Sequence, residues 1–319
     1  MAQAAVGVDI AKHKFDVARL EAGKYKHQKF DNTPDGFAAF ILWLAAFGDN
    51  KPLICMEATG AYSIPLAEFL VQSGYPVAVV NPAKIKGHAK SELSRVKTDK
   101  ADAKLIARYA LEKQPPVWTP PPANIRELQA LLRRIEDLLE MRQMENNRLD
   151  TADASVVDSI KTLIALLEKE LAATRERIRN LIDNDPDLKR RRELLETIPG
   201  IAETAAAHLL VALSVHYGFT CAKQAVAFAG LNPALNESGQ WKGKTRLSKT
   251  GDPLLRAKLY MPAVTAGHHN PVICAFRERL KARGKNGKAI ACASMRKLIH
   301  IAFGILKSGK PFDPNYSLA

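Results

Sequence analysis

AAVGVD (4–9) opens the stretch that decides the fold, and KFDVARL (14–20) and KYKHQKF (24–30) follow it closely. The first run is apolar and ends in an acid, which is typical of a buried strand. The other two alternate in polarity with a period of two, as strands with one buried face do. Three successive strands of this kind predict an antiparallel meander at the start of a sheet.

Helix and strand signals alternate after this meander. The first helical stretch opens at Asn32-Thr33-Pro34-Asp35 and carries its large apolar side chains on one face. LICM (53–56) and PVAVVN (76–81) read as further buried strands, with a second helix predicted over 62–73. Strands joined by helices in this order predict an α/β sheet.

Three regions are predicted along the chain. Residues 1–122 form the α/β domain, which ends in a segment with five prolines in nine residues, 114–122. Residues 123–185 show apolar side chains at intervals of three and four residues in two long stretches, which predicts an antiparallel coiled coil acting as a connector. Residues 186–319 are mainly helical by pattern and form a C-terminal domain.

The charge of the chain is concentrated in one segment. The chain has 47 basic and 33 acidic side chains, a net charge of +14, and residues 239–310 alone hold 16 basic and two acidic ones. Such a density of positive charge is typical of a surface that binds a polyphosphate, so nucleic acid is the favoured partner. The alternative is a solvated basic face without a partner.

Composition excludes several classes. With 47% apolar and 25% charged residues, the chain is neither wholly disordered nor fibrous. No run of 18 apolar residues occurs, and the N-terminus lacks the order of a signal peptide, so we expect no membrane association. The four cysteines are scattered, which argues against a disulfide framework or structural zinc site and fits a reducing compartment.

Four acids are placed where a metal-dependent phosphoryl-transfer site would need them. Asp9 ends the first strand and Glu57 the fourth, while Asp99 and Asp102 lie at i and i+3 at the start of a helix over 100–113. Parallel strands bring their carboxyl ends to one edge, so these carboxylates can converge and share divalent cations, with two Mg²⁺ ions as the usual arrangement. Taken singly, each acid could instead be a helix cap or a partner of a helix dipole. The order of elements resembles the ribonuclease-H-like fold of RuvC resolvases and many transposases.

A second constellation lies in the basic segment. Ser238-Gly239 is followed by four basic residues suited to stabilising charge on a phosphate: Lys242, Lys244, Arg246 and Lys249. A Ser-Gly pair is more often a plain turn, and Ser248 lies in an equally basic setting.

Two further features predict contacts with a phosphate backbone. The densest basic run comprises Arg277, Arg279, Lys281, Arg283, Lys285 and Lys288. Ile198-Pro199-Gly200-Ile201 is typical of a helix–hairpin–helix turn, in which backbone N–H groups around Gly200 would grip phosphate; an ordinary connection between helices is an equal alternative.

The combined order of motifs resembles the DEDD-type transposases of bacterial insertion sequences, a family that includes pilin-gene invertases and bridge-RNA-guided recombinases. The motifs that carry the resemblance are Gly7-Val8-Asp9-Ile10-Ala11-Lys12, Met56-Glu57-Ala58-Thr59-Gly60, Asn81-Pro82, Lys97-Thr98-Asp99-Lys100-Ala101-Asp102-Ala103, Ile198-Pro199-Gly200-Ile201 and Ala229-Gly230-Leu231-Asn232-Pro233 through Ser238-Gly239. They span nearly the whole chain.

The resemblance implies a RuvC-like N-terminal domain, a coiled coil and a C-terminal transposase domain. It implies that Asp9, Glu57, Asp99 and Asp102 bind Mg²⁺ and that Ser238 is the nucleophile, forming a covalent phosphoserine link with DNA. It further implies a homo-oligomer, dimer or tetramer, in which the acids of one subunit meet the serine of another. A non-coding bridge RNA would pair with donor and target DNA, in the bacterial cytoplasm at the nucleoid.

Two rival functions use the same features. A RuvC-like nuclease or junction resolvase would hydrolyse DNA with the acids alone and keep Ser238 as a turn residue. An RNA-binding or architectural protein would bind through the basic segment and carry vestigial acids. Covalent attachment of protein to cleaved DNA separates the recombinase from the first, and metal-dependent cleavage separates it from the second.

Overall fold

The computed structural model describes residues 4–48, 51–58, 60–92, 98–234, 237–238, 241–243 and 246–315. The chain divides into two compact units, Met1–Pro120 and Pro121–Ala319, called here the N-terminal and C-terminal units. The pair of long helices that the sequence predicts as a separate region belongs to the C-terminal unit. A division of that unit into a connector and a transposase domain stays a prediction.

The N-terminal unit contains a five-stranded mixed sheet. Its strands are β1 (Ala5–Ile10), β2 (Lys14–Glu21), β3 (Lys24–Asp31), β4 (Leu53–Glu57) and β5 (Val77–Val80). They lie in the order β3-β2-β1-β4-β5, with β1, β2 and β3 antiparallel and β1, β4 and β5 parallel. The predicted meander followed by crossovers is therefore confirmed as a mixed α/β sheet.

Four helices accompany the sheet. They are α1 (Pro34–Ala45), α2 (Ile64–Gln72), α3 (Pro82–Ser91) and α4 (Asp99–Lys113). On one face of the sheet, Val8 and Met56 pack in a core with α1 and α2; on the other, Cys55 packs against Ile106 of α4. The alternation of side chains along each strand produces these two faces, because successive residues point to opposite sides.

Helix α3 was missed in the sequence because it is short and polar. Its start nevertheless has a local signal, since Pro82 stands in the first turn and the Asn81 side chain accepts a hydrogen bond from the Ala83 N–H at 2.8 Å. Asparagine at the cap followed by proline is a favoured helix beginning.

The C-terminal unit begins with two helices of 27 residues each, α5 (Ala123–Leu149) and α6 (Val157–Asp183). They run antiparallel, with Leu138 packed against Leu167 and Leu171. Two long ion-pair contacts lie across the pair, Arg142 to Glu168 and Arg177 to Glu127, each 3.9 Å. Both predicted helices are present; knobs-into-holes packing of the coiled-coil type stays a prediction.

Six more α-helices lie in the described part of this unit. They are α7 (Pro186–Glu196), α8 (Glu203–Ala212), α9 (Ala222–Phe228), α10 (Pro253–His269), α11 (Pro271–Ala282) and α12 (Gly287–Ser308). In the described part of the chain, α12 is the one unbroken helix long and apolar enough to cross a membrane, although sequence inspection found no uninterrupted apolar run. Its apolar face packs in the core of the unit through Met295, Leu298, Ile299 and Ala302.

Two very short strand pairs lie between α9 and α10, where the sequence analysis identified no strand. β6 (Pro233–Ala234) pairs with β9 (Arg246–Leu247), and β7 (Glu237–Ser238) pairs with β8 (Trp241–Lys242). Each strand is two residues long, too short to produce a periodic pattern in the sequence.

Candidate active site

The site of the N-terminal unit is organised by the close approach of α4 to β1. Gly7 lies beneath this helix, where an added Cβ would fall 2.2 Å from both the Ala103 carbonyl oxygen and the Ala107 nitrogen. Only a residue without a side chain fits at such a distance. Asp9, two residues later in the strand, therefore projects from the same face near the beginning of α4.

Glu57 joins Asp9 through the register of the parallel strands. Val8 pairs with Met56, so Asp9 and Glu57 follow at equivalent positions at the carboxyl ends of β1 and β4. Equivalent positions of neighbouring strands project to the same face. Both residues are half-buried.

Asp99 and Asp102 lie in the first turn of α4, and Thr98 caps that helix by accepting a hydrogen bond from the Ala101 N–H at 3.2 Å. The first turn of a helix favours negative charge. Asp99 also forms an ion pair of 2.9 Å with the Lys14 ammonium group, which lowers the pKa of the Asp99 carboxyl.

The four predicted acids influence one another electrostatically. The pKa of Asp9 is raised from 3.8 to about 6, first by burial and then by the negative charges of Asp102, Asp99 and Glu57. An Asp that titrates this high is held among like charges that a cation would balance. All the donors are carboxylate oxygens, the ligands that Mg²⁺ prefers, so the residues fit that ion by their chemistry. Among the described residues no three of these carboxylates bring their oxygens within 4.8 Å of one another, so a shared ion would have to draw them together.

A fifth acid, Asp16, was missed in the sequence. It lies opposite Asp9 on β2, is 3% exposed and adds to the rise in the Asp9 pKa. His27 Nε2 lies 2.8 Å and Lys29 Nζ 3.8 Å from its carboxylate. Asp16 occupies a polar position of the alternating strand β2, so the sequence alone carried no signal that separated it from an ordinary surface acid. Its negative charge acts on Asp9 from the neighbouring strand.

Ser238 is exposed and lies in the C-terminal unit, at the end of β7, where it pairs with Trp241 of β8. Trp241 is itself 57% exposed. Arg246 and Lys249, which follow Ser238 closely in the sequence, are exposed. Lys242 belongs to β8, and Lys244 lies outside the described residues. The position of Ser238 suits both an accessible hydroxyl and a hairpin residue.

Ser248, the other serine of this segment, has a structural role. Its backbone N–H donates to the Asn232 carbonyl at 2.8 Å, and its hydroxyl oxygen accepts from the Thr250 N–H at 3.3 Å. It is half-buried. The Ser248 hydroxyl thus stabilises the turn that leads into α10.

The basic run predicted to contact phosphate covers the end of α11 and the start of α12. Arg279, Lys281, Arg283, Lys285 and Lys288 are all exposed. Arg277 is half-buried and donates to the Gly267 carbonyl at 3.1 Å. Three of the run, Arg277, Lys281 and Lys285, line a cavity of about 490 Å³ between α10, α11 and α12. A concave basic surface of this kind suits a phosphate backbone.

Gly200 packs tightly at the turn between α7 and α8. It has a φ of +101°, and an added Cβ would meet Ala266 of α10 at 2.7 Å. The first turn of α8 carries Glu203, which accepts a hydrogen bond of 2.7 Å from Arg179. This packing accounts for the glycine, and phosphate binding at the turn stays a prediction.

Comparison with family models gives two matches. A DEDD transposase model of the IS110 type matches residues 6–152. A model described as transposase of the IS116/IS110/IS902 family matches residues 192–278. The first covers all four acids of the tetrad, and the second covers Ser238.

Three relatives illustrate the similarity. The pilin gene-inverting proteins of Moraxella bovis and Moraxella lacunata are each 34% identical over 317 residues, which is 98% of this chain and 98% of each relative. An uncharacterised 43.6 kDa protein of insertion element IS110 from Streptomyces coelicolor is 24% identical over 192 residues, 60% of this chain and 46% of that protein.

Proposed function

This chain belongs to the IS110 family of transposases and recombinases, and from that premise we propose that it cuts and rejoins the DNA of a mobile insertion sequence through a covalent phosphoserine intermediate. The single observation that carries the proposal is the placement of Asp9 and Glu57 at neighbouring strand ends beside the first turn of α4, where burial and then the charges of the other acids raise the pKa of Asp9 to about 6. Four acids from three separate elements so placed favour metal-assisted phosphoryl transfer over a purely structural role.

The chemistry begins at Ser238. Its hydroxyl oxygen attacks the phosphorus of a DNA phosphodiester, the hydroxyl proton leaves to a base or water, and the bond from phosphorus to the departing DNA oxygen breaks. A hydroxyl of a second strand then attacks the phosphoserine and releases the serine. The exposed position of Ser238, compared with the hydrogen-bonded Ser248, supports this assignment.

The tetrad Asp9, Glu57, Asp99 and Asp102 would hold Mg²⁺, in a two-ion or shared site. When bound, Mg²⁺ supplies positive charge to the phosphodiester and to the departing oxygen. The chain positions these acids in two ways. Gly7 lets α4 approach the sheet, and Thr98 caps the turn of α4 that carries Asp99 and Asp102. The sheet order and the acids at its carboxyl edge support a RuvC-like domain.

DNA is the substrate that this family implies, and a bridge RNA is proposed as the guide. The basic cavity lined by Arg277, Lys281 and Lys285 supports a phosphate-backbone contact, which either nucleic acid could make. Gly200, Lys242, Lys244, Arg246, Lys249, Arg279, Arg283 and Lys288 are proposed as further contacts. We propose a dimer or tetramer in which acids and serine come from different subunits.

The test is a search for protein joined to DNA. A plasmid carrying the element with its full flanking sequence is incubated with the protein, RNA transcribed from the element and Mg²⁺, and the products are separated in a denaturing gel. We expect an adduct with the unmodified chain and with Ser248→Ala, and none with Ser238→Ala. Adducts formed by Ser238→Ala at an unchanged level would overturn the serine assignment.

Hydrolysis is the second candidate, because Ser238 pairs with Trp241 in a short antiparallel strand pair, where a residue without a chemical role also fits. The same gel decides between them. Strand cleavage that needs the four acids and Mg²⁺ but gives no adduct, and that survives Ser238→Ala, identifies a RuvC-like nuclease or resolvase.

A further inference from the structure

A second group of metal-ligating side chains lies in the N-terminal unit, apart from the tetrad. His88, Glu92 and Glu112 each offer a ligand atom, and these atoms lie within 4.8 Å of one another. His88 and Glu92 are one helical turn apart, at the end of α3, and Glu112 lies in the last turn of α4. The spacing of four residues places the first two on the same side of the helix.

The imidazole of His88 has a buried nitrogen without a hydrogen-bond partner among the described residues. His88 is 7% exposed, and the nitrogen concerned is Nε2. A buried polar atom without a partner is unfavourable, and such atoms usually have a functional explanation. The ring is fixed by an edge contact with Tyr109, whose ring centroid is 5.5 Å away.

The carboxylate of Glu92 is oriented by a hydrogen bond from Arg108. The Nε of Arg108 also donates to the Tyr25 hydroxyl at 3.3 Å. A carboxylate has two oxygens, so one can bind Arg108 while the other binds an ion. Hydrogen bonds of this kind orient the ligands of metal sites.

We propose that His88, Glu92 and Glu112 bind a divalent transition-metal ion of the Zn²⁺ type. An imidazole nitrogen with two carboxylates and a water is a donor set that Zn²⁺ accepts, whereas Mg²⁺ prefers oxygen alone. Glu112 lies ten residues beyond Asp102 on α4, about 15 Å along the helix at 1.5 Å per residue, so the tetrad and this group are separate sites.

The site would tie the end of α3 to α4. These two helices also contact each other through the apolar packing of Ile85 with α4, the His88–Tyr109 ring contact and the Arg108–Glu92 ion pair. A metal ion that binds the folded chain more tightly than the unfolded chain stabilises the fold. The proposal is independent of the recombination chemistry.

Zinc titration tests the site directly. The full chain, freed of metal with a chelator, is titrated with Zn²⁺ against a competing zinc indicator in the presence of millimolar Mg²⁺, which occupies the tetrad. We expect one Zn²⁺ per chain, weakened at least tenfold by Glu112→Gln and by His88→Gln. Asp9→Asn and Glu140→Gln, an exposed glutamate of α5, are expected to bind within twofold of the unmodified chain.

Each result has a definite meaning. Circular dichroism checks that His88→Gln folds; if it does not, Glu112→Gln decides alone, because Glu112 is exposed and its replacement disturbs no core. The proposal is overturned if the unmodified chain binds no Zn²⁺, or if Glu112→Gln binds it as tightly as the unmodified chain. It is also overturned if Asp9→Asn abolishes the same binding event, because the ion would then occupy the tetrad.

Discussion

Gly7 of β1 lies directly against Ala103 of α4, so closely that a Cβ on the glycine would stand 2.2 Å from the Ala103 carbonyl oxygen. Asp102 immediately precedes Ala103, and Asp9 follows Gly7 by two residues. This contact therefore fixes the separation between the acids of the strand and those of the helix. The metal site proposed for these acids would tolerate little displacement of its ligands.

The first prediction concerns that contact. Gly7→Ala should force α4 away from β1 and lower the free energy of unfolding by about 1–3 kcal/mol, as overpacking of a core does. It should also abolish recombination. Urea denaturation followed by circular dichroism measures the stability. Gly87→Ala, where no atom lies within 4 Å of an added Cβ, is the control and should be neutral or stabilising by about 0.5–1 kcal/mol.

The second prediction concerns the raised pKa of Asp9. In the folded chain this carboxyl titrates at about 6 instead of 3.8, so between these values the folded state holds a proton that the unfolded state has released. Without divalent ions, the contribution of Asp9 should therefore make stability fall as the pH rises from about 4 to 6.

Asp9→Asn should remove that slope and stabilise the metal-free chain at pH 7 by on the order of 1 kcal/mol, a value reduced for partial exposure of the carboxyl. Mg²⁺ should raise the melting temperature of the unmodified chain and not of the variant. Asp137→Asn, on the exposed side of α5, serves as the control. An unchanged pH slope in Asp9→Asn would contradict the assignment.

The third prediction concerns Lys14. Its ammonium group neutralises Asp99 in the metal-free site, so Lys14→Ala should increase Mg²⁺ affinity by about threefold, the scale of an exposed ion pair. Calorimetric titration measures the change. Lys12→Ala, an exposed lysine two residues earlier, should leave the affinity unaltered. Weaker Mg²⁺ binding in Lys14→Ala would show instead that Lys14 organises the site.

The fourth prediction concerns how subunits share the site. Asp9→Ala and Ser238→Ala should each be inactive, yet a mixture should recover about one quarter of strand cleavage if a symmetric dimer pairs acids of one copy with the serine of the other. Random pairing makes about half of the dimers heterodimers, and one of the two sites in each heterodimer is intact, so about one quarter of all sites are active. Plasmid cleavage by co-refolded variants measures recovery, and no recovery would place both groups of a site in one subunit.

The fifth prediction concerns the basic run. Lys285→Ala and Lys288→Ala should each weaken nucleic-acid binding regardless of sequence and reduce the slope of log affinity against log salt by about 1. Fluorescence anisotropy over a range of salt concentrations measures both. Lys189→Ala, exposed on α7, is the control. A slope that does not change would mean that the two lysines are solvated without a phosphate partner.

Local pattern was enough for much of the fold. The strands ending at Asp9 and Glu57 are apolar runs closed by an acid, and their register follows from the parallel pairing of buried strands. Helix α3 was not predicted because its sequence is polar and shows no apolar face. The strands around Ser238 were not predicted because a strand of two residues is too short to show an alternation of polarity. Asp16 was missed because an acid at a polar position of an alternating strand is ordinary until its cross-strand neighbour is known.

By itself the sequence determined most of the order of strands and helices, and it singled out the four acids, the serine and the basic run as candidate site residues. Through their motifs it also indicated the family. These are properties of neighbours along the chain, where side-chain period and turn chemistry act. Only the tertiary structure decided that Asp16 stands behind Asp9, that Lys14 holds Asp99, and that His88 meets Glu112 across two helices. These contacts depend on how the helices and strands pack in space. The spacing of residues along the chain does not give the distance between side chains on different elements.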